Sequence, residues 1–569
     1  MENQLYEAKR FANLREILKN TVELYGKSDA FVIKKKNENG INYEHITYQM
    51  FNKEIDALGT AFINMGLKGK RIAIIAPNRY EWCTTYLATL NGVGIVVPLD
   101  KSLPEQEIAL SLERSYADVV VFDGKYLEAM KEIKKNQPNI KYFISMDETK
   151  ENDFIYYQDL VKKGKEKLKQ GDTSYQESEI RNEEMSIILF TSGTTSAAKA
   201  VMLSHKNIAE NIYALNSIVK IYDTDTSLAF LPFHHTFGST GYLFFMSNGA
   251  TTVFCDGLRH IQQNLKEYQV TVFVCVPLLL EAMYKKINKE IEKQGKAKVV
   301  HYGKKVSDSL LKIGIDVRRK LFREILEKLG GNLRLVVSGA AAIDKEVAKG
   351  FNSFGITTIQ GYGLTETSPV LTAENSKHIR YGSVGFPMIN VEIAIDQPDQ
   401  NGIGEIKAKG PNVMSGYYEN PEATQEVLKD GWFYTGDLGY IDKDGYLFIT
   451  GRRKNVIVLK NGKNIFPEEI ELLINNLPYV AESIVFGMPK EDDYIPAAKI
   501  VYQKEYIEDG YPKITKQELE EKIWKDIKKI NQGLTNFKHI KKIIITDEPM
   551  IKTTTQKIKR FEEINNLLR

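Results

Sequence analysis

A segment rich in hydroxyl side chains follows a strand-like apolar run in the first half of the chain. It runs from Thr191 to Lys199 and contains one glycine. The backbone amides of such a loop can form an anion-binding nest, its hydroxyls add donors, and its lysine supplies a point charge suited to phosphate. The G-x-x-x-x-G-K spacing of a P-loop is absent, and in isolation a surface linker explains the segment equally well. The candidate phosphate-binding residues are Thr191, Ser192, Gly193, Thr194, Thr195 and Lys199.

A second segment, residues 360–367, sets a tyrosine between two glycines. The aromatic ring can lie flat against a purine. Thr365 offers a hydroxyl to phosphate, and Glu366 offers a hard oxygen ligand to Mg²⁺. Taken alone, a glycine-rich strand end is commoner than a nucleotide site. The candidate residues here are Gly361, Tyr362, Gly363, Thr365 and Glu366.

Three further segments carry charged side chains that could bind a substrate. Asp437 stands between glycines. Its two oxygens can accept hydrogen bonds from both hydroxyls of a ribose. Taken alone, however, the aspartate is better explained by an ordinary turn before a strand. The basic segments 451–454 and 552–560 are each typical of a solvated surface.

Two adjacent histidines, His234 and His235, lie in the segment 231–238. Such a pair can begin a metal site, but the sequence places no third ligand nearby, so we do not expect one here. Residues 238–254 contain few charged side chains, which suits the binding of an apolar tail.

The elements that must position these residues alternate in type. Continuous apolar runs of strand length occur between longer amphipathic segments such as 81–90, and this pattern predicts an α/β fold with largely parallel sheets covered by helices on both faces. Strands are predicted within residues 71–77, 94–98, 118–122, 270–275 and 333–337.

The composition is that of a globular protein. Of the 569 residues, 43% are hydrophobic and 27% charged, and the net charge of +3 gives no reason to expect a nucleic-acid partner. The cysteines, Cys83, Cys255 and Cys275, form no C-x-x-C pair, which argues against disulfides and zinc ribbons and for a reducing cytosol. No secretory signal is visible, and no apolar run is long enough to span a bilayer. We expect a cytoplasmic protein, with peripheral membrane contact and a homodimer left open.

A domain boundary is predicted near residue 450. It divides the chain into a large unit, 1–450, and a smaller mobile unit, 451–569. Proline in its first turn predicts a helix from residue 467. The same segment places Ile470, Leu473, Ile474 and Leu477 on one apolar stripe. The lysine-rich stretch 162–170 is expected to be exposed, and helical after Gly164.

The motifs, in this order and spacing, resemble those of the adenylate-forming (AMP-binding) superfamily, which includes acyl-CoA synthetases, nonribosomal adenylation domains and beetle luciferases. The resemblance covers nearly the whole chain. Residues 362–366 match the family's Y-G-x-T-E, and 434–437 match its x-T-G-D. Residues 338–341 resemble the strand end that borders adenine, residues 451–454 match the hinge region, and Lys557 falls where the family keeps its adenylation lysine.

The phosphate loop departs from the family pattern, which reads about [ST]-S-G-T-[ST]-G-x-P-K-G. Ser196, Ala198 and Ala200 stand where glycine, proline and glycine are usual, and Gln556 replaces a glycine before Lys557. No charged group is lost, so we interpret the chain as a subfamily variant. A degenerate protein that binds nucleotide without turnover is the alternative from another class.

The resemblance implies a role for each candidate. The loop from Thr191 to Lys199 would hold the triphosphate of ATP, and Glu366 would hold Mg²⁺. Lys557 would bridge carboxylate and phosphate oxygens while the acyl-adenylate forms. The resemblance assigns catalysis to Lys557, Glu366 and Thr191, the adenine border to Gly339, Ala340, Ala341 and Tyr362, the ribose side to Asp437 and Arg452, and the hinge to Lys454.

The acyl substrate is indicated by two segments. Residues 231–238 resemble the part of the family that lines the acyl site, with His235, Phe237 and Gly238 as candidates. These residues and the stretch 318–334 resemble long-chain fatty acyl-CoA synthetases in particular. The expected reaction activates a medium- or long-chain fatty acid to acyl-AMP and transfers the acyl group to coenzyme A. An acyl–acyl-carrier-protein synthetase and an aryl-CoA ligase remain alternatives.

Overall fold

The computed structural model describes residues 4–38, 40–191, 198–460, 463–490, 493–552 and 558–568. These residues fall into two compact units. The first takes the chain up to Thr191, then 198–393 and 408–433; the second takes 394–407 and the described residues from Tyr434 onward.

The strands are numbered along the whole chain. They are β1 (Asp29–Asn37), β2 (Gly40–Thr47), β3 (Arg71–Ile75), β4 (Ile95–Pro98), β5 (Val119–Phe122), β6 (Tyr142–Ser145), β7 (Ile155–Tyr156), β8 (Met185–Thr191), β9 (Lys199–Ser204), β10 (Thr226–Ala229), β11 (Thr251–Phe254), β12 (Val272–Cys275), β13 (Leu335–Ser338), β14 (Thr357–Gly363), β15 (Val370–Ala373), β16 (Phe386–Pro387), β17 (Glu392–Asp396), β18 (Gly404–Lys409), β19 (Gly416–Tyr417), β20 (Leu428–Lys429), β21 (Trp432–Ile441), β22 (Leu447–Arg452), β23 (Ile457–Val458), β24 (Asn464–Ile465), β25 (Val480–Lys490), β26 (Asp493–Tyr502) and β27 (Lys542–Thr546).

The α-helices are numbered in the same way. They are α1 (Leu14–Tyr25), α2 (Tyr48–Asn64), α3 (Tyr80–Ala88), α4 (Glu105–Arg114), α5 (Leu127–Asn136), α6 (Tyr157–Lys169), α7 (His205–Ile218), α8 (Thr236–Ser247), α9 (Ile261–Glu267), α10 (Pro277–Lys293), α11 (Ala297–Lys312), α12 (Arg318–Leu321), α13 (Arg323–Lys328), α14 (Lys345–Ser353), α15 (Pro421–Val427), α16 (Pro467–Asn475), α17 (Lys504–Gly510), α18 (Lys516–Gln532) and α19 (Arg560–Leu568).

Two large sheets form the first unit. One has the order β16-β15-β14-β13-β12-β10-β11-β1-β2, and its strands from β14 to β1 run parallel. Because the carboxyl ends of parallel strands meet at one edge, the segments that follow β10, β13 and β14 are brought together there. These are the predicted acyl segment, the adenine-bordering segment and the glycine–tyrosine segment.

The other large sheet has the order β19-β9-β8-β4-β3-β5-β6-β7. Its strands from β8 to β7 are parallel, while β9 folds back against β8 as an antiparallel hairpin and β19 pairs antiparallel with β9. The strands β3 and β5 are buried on both faces, which explains their continuous apolar sequences.

The second unit is smaller. β18, β21 and β22 belong to one sheet, and β25, β26 and β27 form another. The core of this second sheet includes apolar side chains of α16 and α18, among them Ile470, Ile474 and Ile523.

The α/β fold predicted from the sequence is confirmed, and each predicted strand and the helix from Pro467 are present. Two details were wrong. Leu473 is exposed, because only Ile470 and Ile474 of that helix face its core. α6 begins at Tyr157, well before Gly164. Within the described part of the chain, no helix combines the length and hydropathy that crossing a membrane would require.

Candidate active site

The predicted phosphate loop lies in sequence between β8 and β9, which pair antiparallel. Thr191 and Lys199 are paired at the open end of the ladder, where the Thr191 hydroxyl donates to the Lys199 carbonyl at 3.3 Å. The hairpin therefore brings the first and last candidates of the loop together. The other candidates, Ser192, Gly193, Thr194 and Thr195, lie outside the described residues, as does Ser196.

Two of the departures from the family loop lie in well-anchored backbone. The carbonyl of Ala198 accepts a hydrogen bond from the Arg114 guanidinium at 2.8 Å, and the carbonyl of Ala200 accepts one from the Tyr418 amide at 2.7 Å. Ala200 is also buried in the ladder. Neither position needs the conformational restriction of proline or the freedom of glycine, because neighbouring elements hold the backbone.

Lys199 and Glu366 are joined through a third side chain, Tyr417. The Lys199 ammonium lies 4.7 Å from the centre of the Tyr417 ring, a cation–π distance. The Tyr417 hydroxyl donates to Glu366 Oε1 at 2.9 Å. Burial, followed by the charge of Glu366, raises the pKa of the Tyr417 hydroxyl, so this hydroxyl keeps its proton and acts as a donor.

Glu366 is suited to hold a hard cation. Its main-chain carbonyl accepts a hydrogen bond from the Met414 amide at 2.8 Å, which fixes the backbone beneath the carboxylate. The side chain is half-buried, and Tyr417 occupies part of the acceptor capacity of one oxygen only. A half-buried carboxylate of this kind is a hard oxygen ligand, which Mg²⁺ prefers.

The end of β14 positions the glycine–tyrosine segment. A Cβ atom on Gly363 would lie 1.8 Å from the Pro369 carbonyl oxygen, so only glycine fits there, whereas Gly361 has room for one. Tyr362 is nearly buried, and Thr365 and Glu366 lie in the single 3₁₀ turn that follows. Gly363 thus lets the end of β14 pack closely on the Pro369 backbone, directly before the turn that carries Thr365 and Glu366.

The adenine-bordering segment meets the predicted acyl segment. A Cβ on Gly339 would lie 2.8 Å from the tip of the Phe237 ring, so the ring packs directly on the glycine backbone. The next two residues, Ala340 and Ala341, are exposed, and Ala340 has a φ of 71°. Phe237, in the first turn of α8, therefore packs against the end of β13.

The histidine pair has a third potential ligand, contrary to the sequence-based expectation. Asp100, just after β4, lies with His234 and His235 so that one ligand atom of each falls within 4.8 Å of the others. His234 is buried, and its Nε2 lies 3.4 Å from the Asp100 carboxylate. The prediction failed because Asp100 is distant in sequence and the second large sheet brings it in through β4.

An apolar cleft opens beside the acyl segment, between β10, β11, β12 and α8. Its empty volume is about 310 Å³. Phe237 and Gly238 are in its wall, while His235 caps α8 next to it. Gly238 is required because a Cβ there would lie 2.2 Å from the Pro232 carbonyl oxygen. The remaining lining is mostly hydrophobic: Leu228, Ala229, Phe230, Leu231, Phe233, Gly241, Tyr242, Phe245 and Val274, with Ser227 and Thr252.

In the second unit, Asp437 and Arg452 are brought together. They are register partners across β21 and β22, and Arg452 Nε lies 2.9 Å from Asp437 Oδ1. Asp437 is buried, while the Arg452 side chain is 42% exposed. The turn before Asp437 is held by Glu405, which accepts from the Gly436 amide at 3.1 Å and pairs with Arg453 at 2.7 Å.

The two remaining predicted residues lie further along the second unit. Lys454 is exposed in a 3₁₀ turn directly after β22. Lys557 lies outside the described residues, but its flanks are anchored: Lys552 is paired with Glu482, and Arg560 makes two 2.5 Å contacts with Glu471. The described chain on each side of residues 553–557 is therefore fixed to one body.

Sequence reasoning missed Tyr417, Asp100 and Glu405. Asp100 had a usable signal, since a carboxylate stands two residues after the predicted strand 94–98. Tyr417 had none, because its contact with Glu366 depends on the pairing of the two-residue strand β19 with β9.

Comparison with known proteins agrees with this architecture. Residues 19–418 match the family described as AMP-binding enzyme, and residues 454–566 match the AMP-binding enzyme C-terminal domain. Long-chain-fatty-acid–CoA ligase 5 from Mus musculus is 30% identical over 574 residues, covering 91% of this chain and 82% of its own. A chloroplastic long-chain-fatty-acid–[acyl-carrier-protein] ligase from Arabidopsis thaliana is 26% identical, covering 90% and 80%.

Among solved structures, the anthranilate CoA ligase in complex with anthranoyl-AMP superposes with a TM-score of 0.77 at 19% identity, covering 99% of this chain and 98% of its own. The fold is that of an adenylate-forming α/β enzyme. The chain belongs to the AMP-binding enzyme family. It is an AMP-forming acid–thiol ligase, a class whose members use ATP, Mg²⁺ and coenzyme A.

Proposed function

We propose that this enzyme activates a medium- or long-chain fatty acid with ATP and transfers the acyl group to coenzyme A. The observation that carries the proposal is the apolar cleft beside α8. The residues that line this cleft include no charged side chain, as suits a site for an apolar acyl tail. A charged or strongly polar acid would lose its hydration there without compensation.

The first unit would bind the two anionic substrates. The acyl tail enters the cleft, and Phe237 separates it from the segment Gly339–Ala341, against which the adenine is expected to lie with Tyr362. Thr191, the loop that follows it, Thr365 and Lys199 would hold the phosphates. Glu366 would hold Mg²⁺, which offsets the charge that moves onto pyrophosphate.

The second unit would supply the ribose-binding groups and the adenylation lysine. Asp437 would accept hydrogen bonds from the ribose hydroxyls. Arg452 would hold the Asp437 carboxylate in place and contact the phosphate next to the ribose. Lys557 would neutralise the reacting carboxylate and phosphate oxygens during adenylation. Rotation about Lys454 would then withdraw Lys557 for the thiol-transfer step, with residues 451–569 as the moving part.

The proposal is tested by an ATP–pyrophosphate exchange screen. The panel runs from acetate through octanoate to palmitate and includes benzoate and anthranilate. Each buried methylene is worth about 0.8 kcal/mol, so kcat/KM should rise about fourfold per carbon until the cleft is full. A preference for acetate or an aromatic acid would overturn the fatty-acid assignment. Product formation with coenzyme A and with holo-acyl-carrier protein then decides the thiol, a question that the Arabidopsis thaliana relative makes necessary.

A substitution in the cleft wall sharpens the test. Gly241, on α8, lines the cleft, and a Cβ there would meet only Val274, at 3.9 Å. Gly241→Leu should displace about two methylenes, lowering kcat/KM for the longest acids about sixteenfold while sparing acids two carbons shorter. Gly510→Leu, on an open surface of the second unit, is the control. Equal loss for every chain length would show that the acyl tail lies elsewhere.

A further inference from the structure

The helix α11 exposes an apolar stripe to solvent. Val299, Tyr302 and Val306 are 70%, 64% and 55% exposed, and Ile313, at the end of the helix, is 71% exposed. Their spacing of three, four and seven residues places them on one face of the helix. A different face packs on the protein, through the fully buried Ser307. The stripe is thus an additional apolar surface that the described fold leaves uncovered.

A row of lysines runs beside the stripe. Lys298, Lys305 and Lys312 are spaced seven residues apart, so they lie along one edge of the same helix, and all three are exposed. None of them makes a salt bridge to another described residue. The segment 297–321 holds seven lysines and arginines against two aspartates, a net charge of +5 in a chain whose total is +3.

The lysine-rich helix α6 provides an internal comparison. Its exposed lysines, among them Lys162, Lys163 and Lys169, surround an apolar face that is buried on the first unit, through Leu160 and Val161. α6 thus follows the usual pattern of a surface helix, with its apolar face buried and its lysines exposed. α11 instead exposes apolar and cationic side chains side by side. A basic helix with an exposed apolar face is typical of helices that lie in a membrane interface.

We propose that α11 docks the enzyme on an anionic lipid bilayer. Val299, Tyr302, Val306 and Ile313 enter the boundary between headgroups and acyl chains, while the lysine row faces the lipid phosphates. Charge decides between this occupant and a second copy of the chain, since two segments of charge +5 would repel each other. The inference does not depend on the identity of the acyl substrate.

The test is cosedimentation of the full chain with vesicles of phosphatidylcholine alone and of phosphatidylcholine containing about one third phosphatidylglycerol. The wild type should bind the anionic vesicles more tightly and lose most of that advantage near 1 M salt, where the Debye length is about 3 Å. The triple variant Lys298→Glu, Lys305→Glu, Lys312→Glu should bind them about a hundredfold more weakly. Lys162→Glu, Lys163→Glu, Lys169→Glu on α6 is the matched control and should bind like wild type.

A second variant separates the apolar contribution from the charge. Val299→Ser, Tyr302→Ser, Val306→Ser keeps the lysines and should also lose binding, including the part that survives high salt. These side chains are exposed, so a thermal melt should show an unchanged fold. Equal binding of the α6 and α11 variants, or no binding of wild type to anionic vesicles, would overturn the proposal. So would a dimer in light scattering that the serine variant abolishes, because the stripe would then be covered by a second copy.

Discussion

The two units hold their charged site residues in different ways. In the first, Lys199, Tyr417 and Glu366 come from three separate elements and are linked by direct contacts. In the second, Asp437 and Arg452 are paired across neighbouring strands, and Lys557 belongs to a segment whose two flanks are anchored by ion pairs. In the first unit, the contacts join segments that are distant in sequence. In the second unit, the ion pairs fix the two ends of the short segment that contains Lys557.

Under the proposed function, this difference separates binding from switching. The linked side chains of the first unit suit a constant task, the retention of magnesium and phosphate charge. A lysine carried on a separate body suits a task needed in one half-reaction only. We therefore expect changes in the first unit to alter the magnesium and ATP requirement, and changes in the second to divide adenylation from thioester formation.

The largest effect is expected from Lys557→Ala. Loss of a cation placed where negative charge develops should reduce adenylation about 10³-fold. Pyrophosphate exchange measures that step, and thioester formation from synthetic acyl-adenylate, which should stay near the wild-type rate, measures the other. Lys559→Ala, at a surface ion pair with Glu562, is the control and should leave both unchanged. Equal loss of both half-reactions would remove Lys557 from the proposed role.

Glu366→Gln should have the next largest effect, lowering exchange about 10²-fold at limiting magnesium. The amide nearly preserves shape but removes the negative charge that a metal ligand needs. Excess Mg²⁺ should restore part of the rate, which it should not do for Lys557→Ala. Glu426→Gln, on the exposed side of α15, is the control. A rate that is insensitive to magnesium would show that Glu366 binds no metal.

The fold was largely predictable because buried parallel strands leave a local signature. Runs such as 72–75 and 119–122 are apolar at every position, as is typical of strands that are covered on both faces. The glycine at position 363 was also a sound signal, since the backbone behind it leaves no room for a side chain. These features depend on residues close in sequence or on burial alone.

The contacts that complete the site were not predictable. Tyr417 reaches Glu366 across 51 residues, through a strand pair too short to leave a periodic pattern. Asp100 joins the histidines only because the second large sheet carries it there. Such contacts depend on the order of the strands in a sheet. The spacing of residues within one segment of the sequence does not reveal that order.

Lys454→Pro tests whether the chain rotates about Lys454 between the two half-reactions. Proline holds φ near −65° and removes an amide donor, so a residue that must change its backbone angles would be trapped. We expect near-normal pyrophosphate exchange and a reduction of about thirtyfold in thioester formation, because misplacing reacting groups by about 1 Å can cost up to 10²-fold. Lys454→Ala separates the backbone effect from loss of charge. If a well-folded Lys454→Pro enzyme loses both steps equally, the hinge lies elsewhere.

The smallest effect is expected from Tyr417→Phe, which tests the linked group of the first unit. The change removes the 2.9 Å hydrogen bond to Glu366 but keeps the ring under Lys199. A hydrogen bond to a charged group contributes about 1.5 kcal/mol, so the magnesium concentration for half-maximal exchange should shift by about tenfold or less. Tyr418→Phe is a matched control, because it removes a similar hydroxyl, bonded to Arg71 at 2.8 Å, without touching Glu366. If both phenylalanine variants shift the magnesium dependence equally, Tyr417 acts through general packing. If only Tyr417→Phe shifts it, and the shift disappears in a Glu366→Gln background, the tyrosine acts through the carboxylate, as the contact indicates.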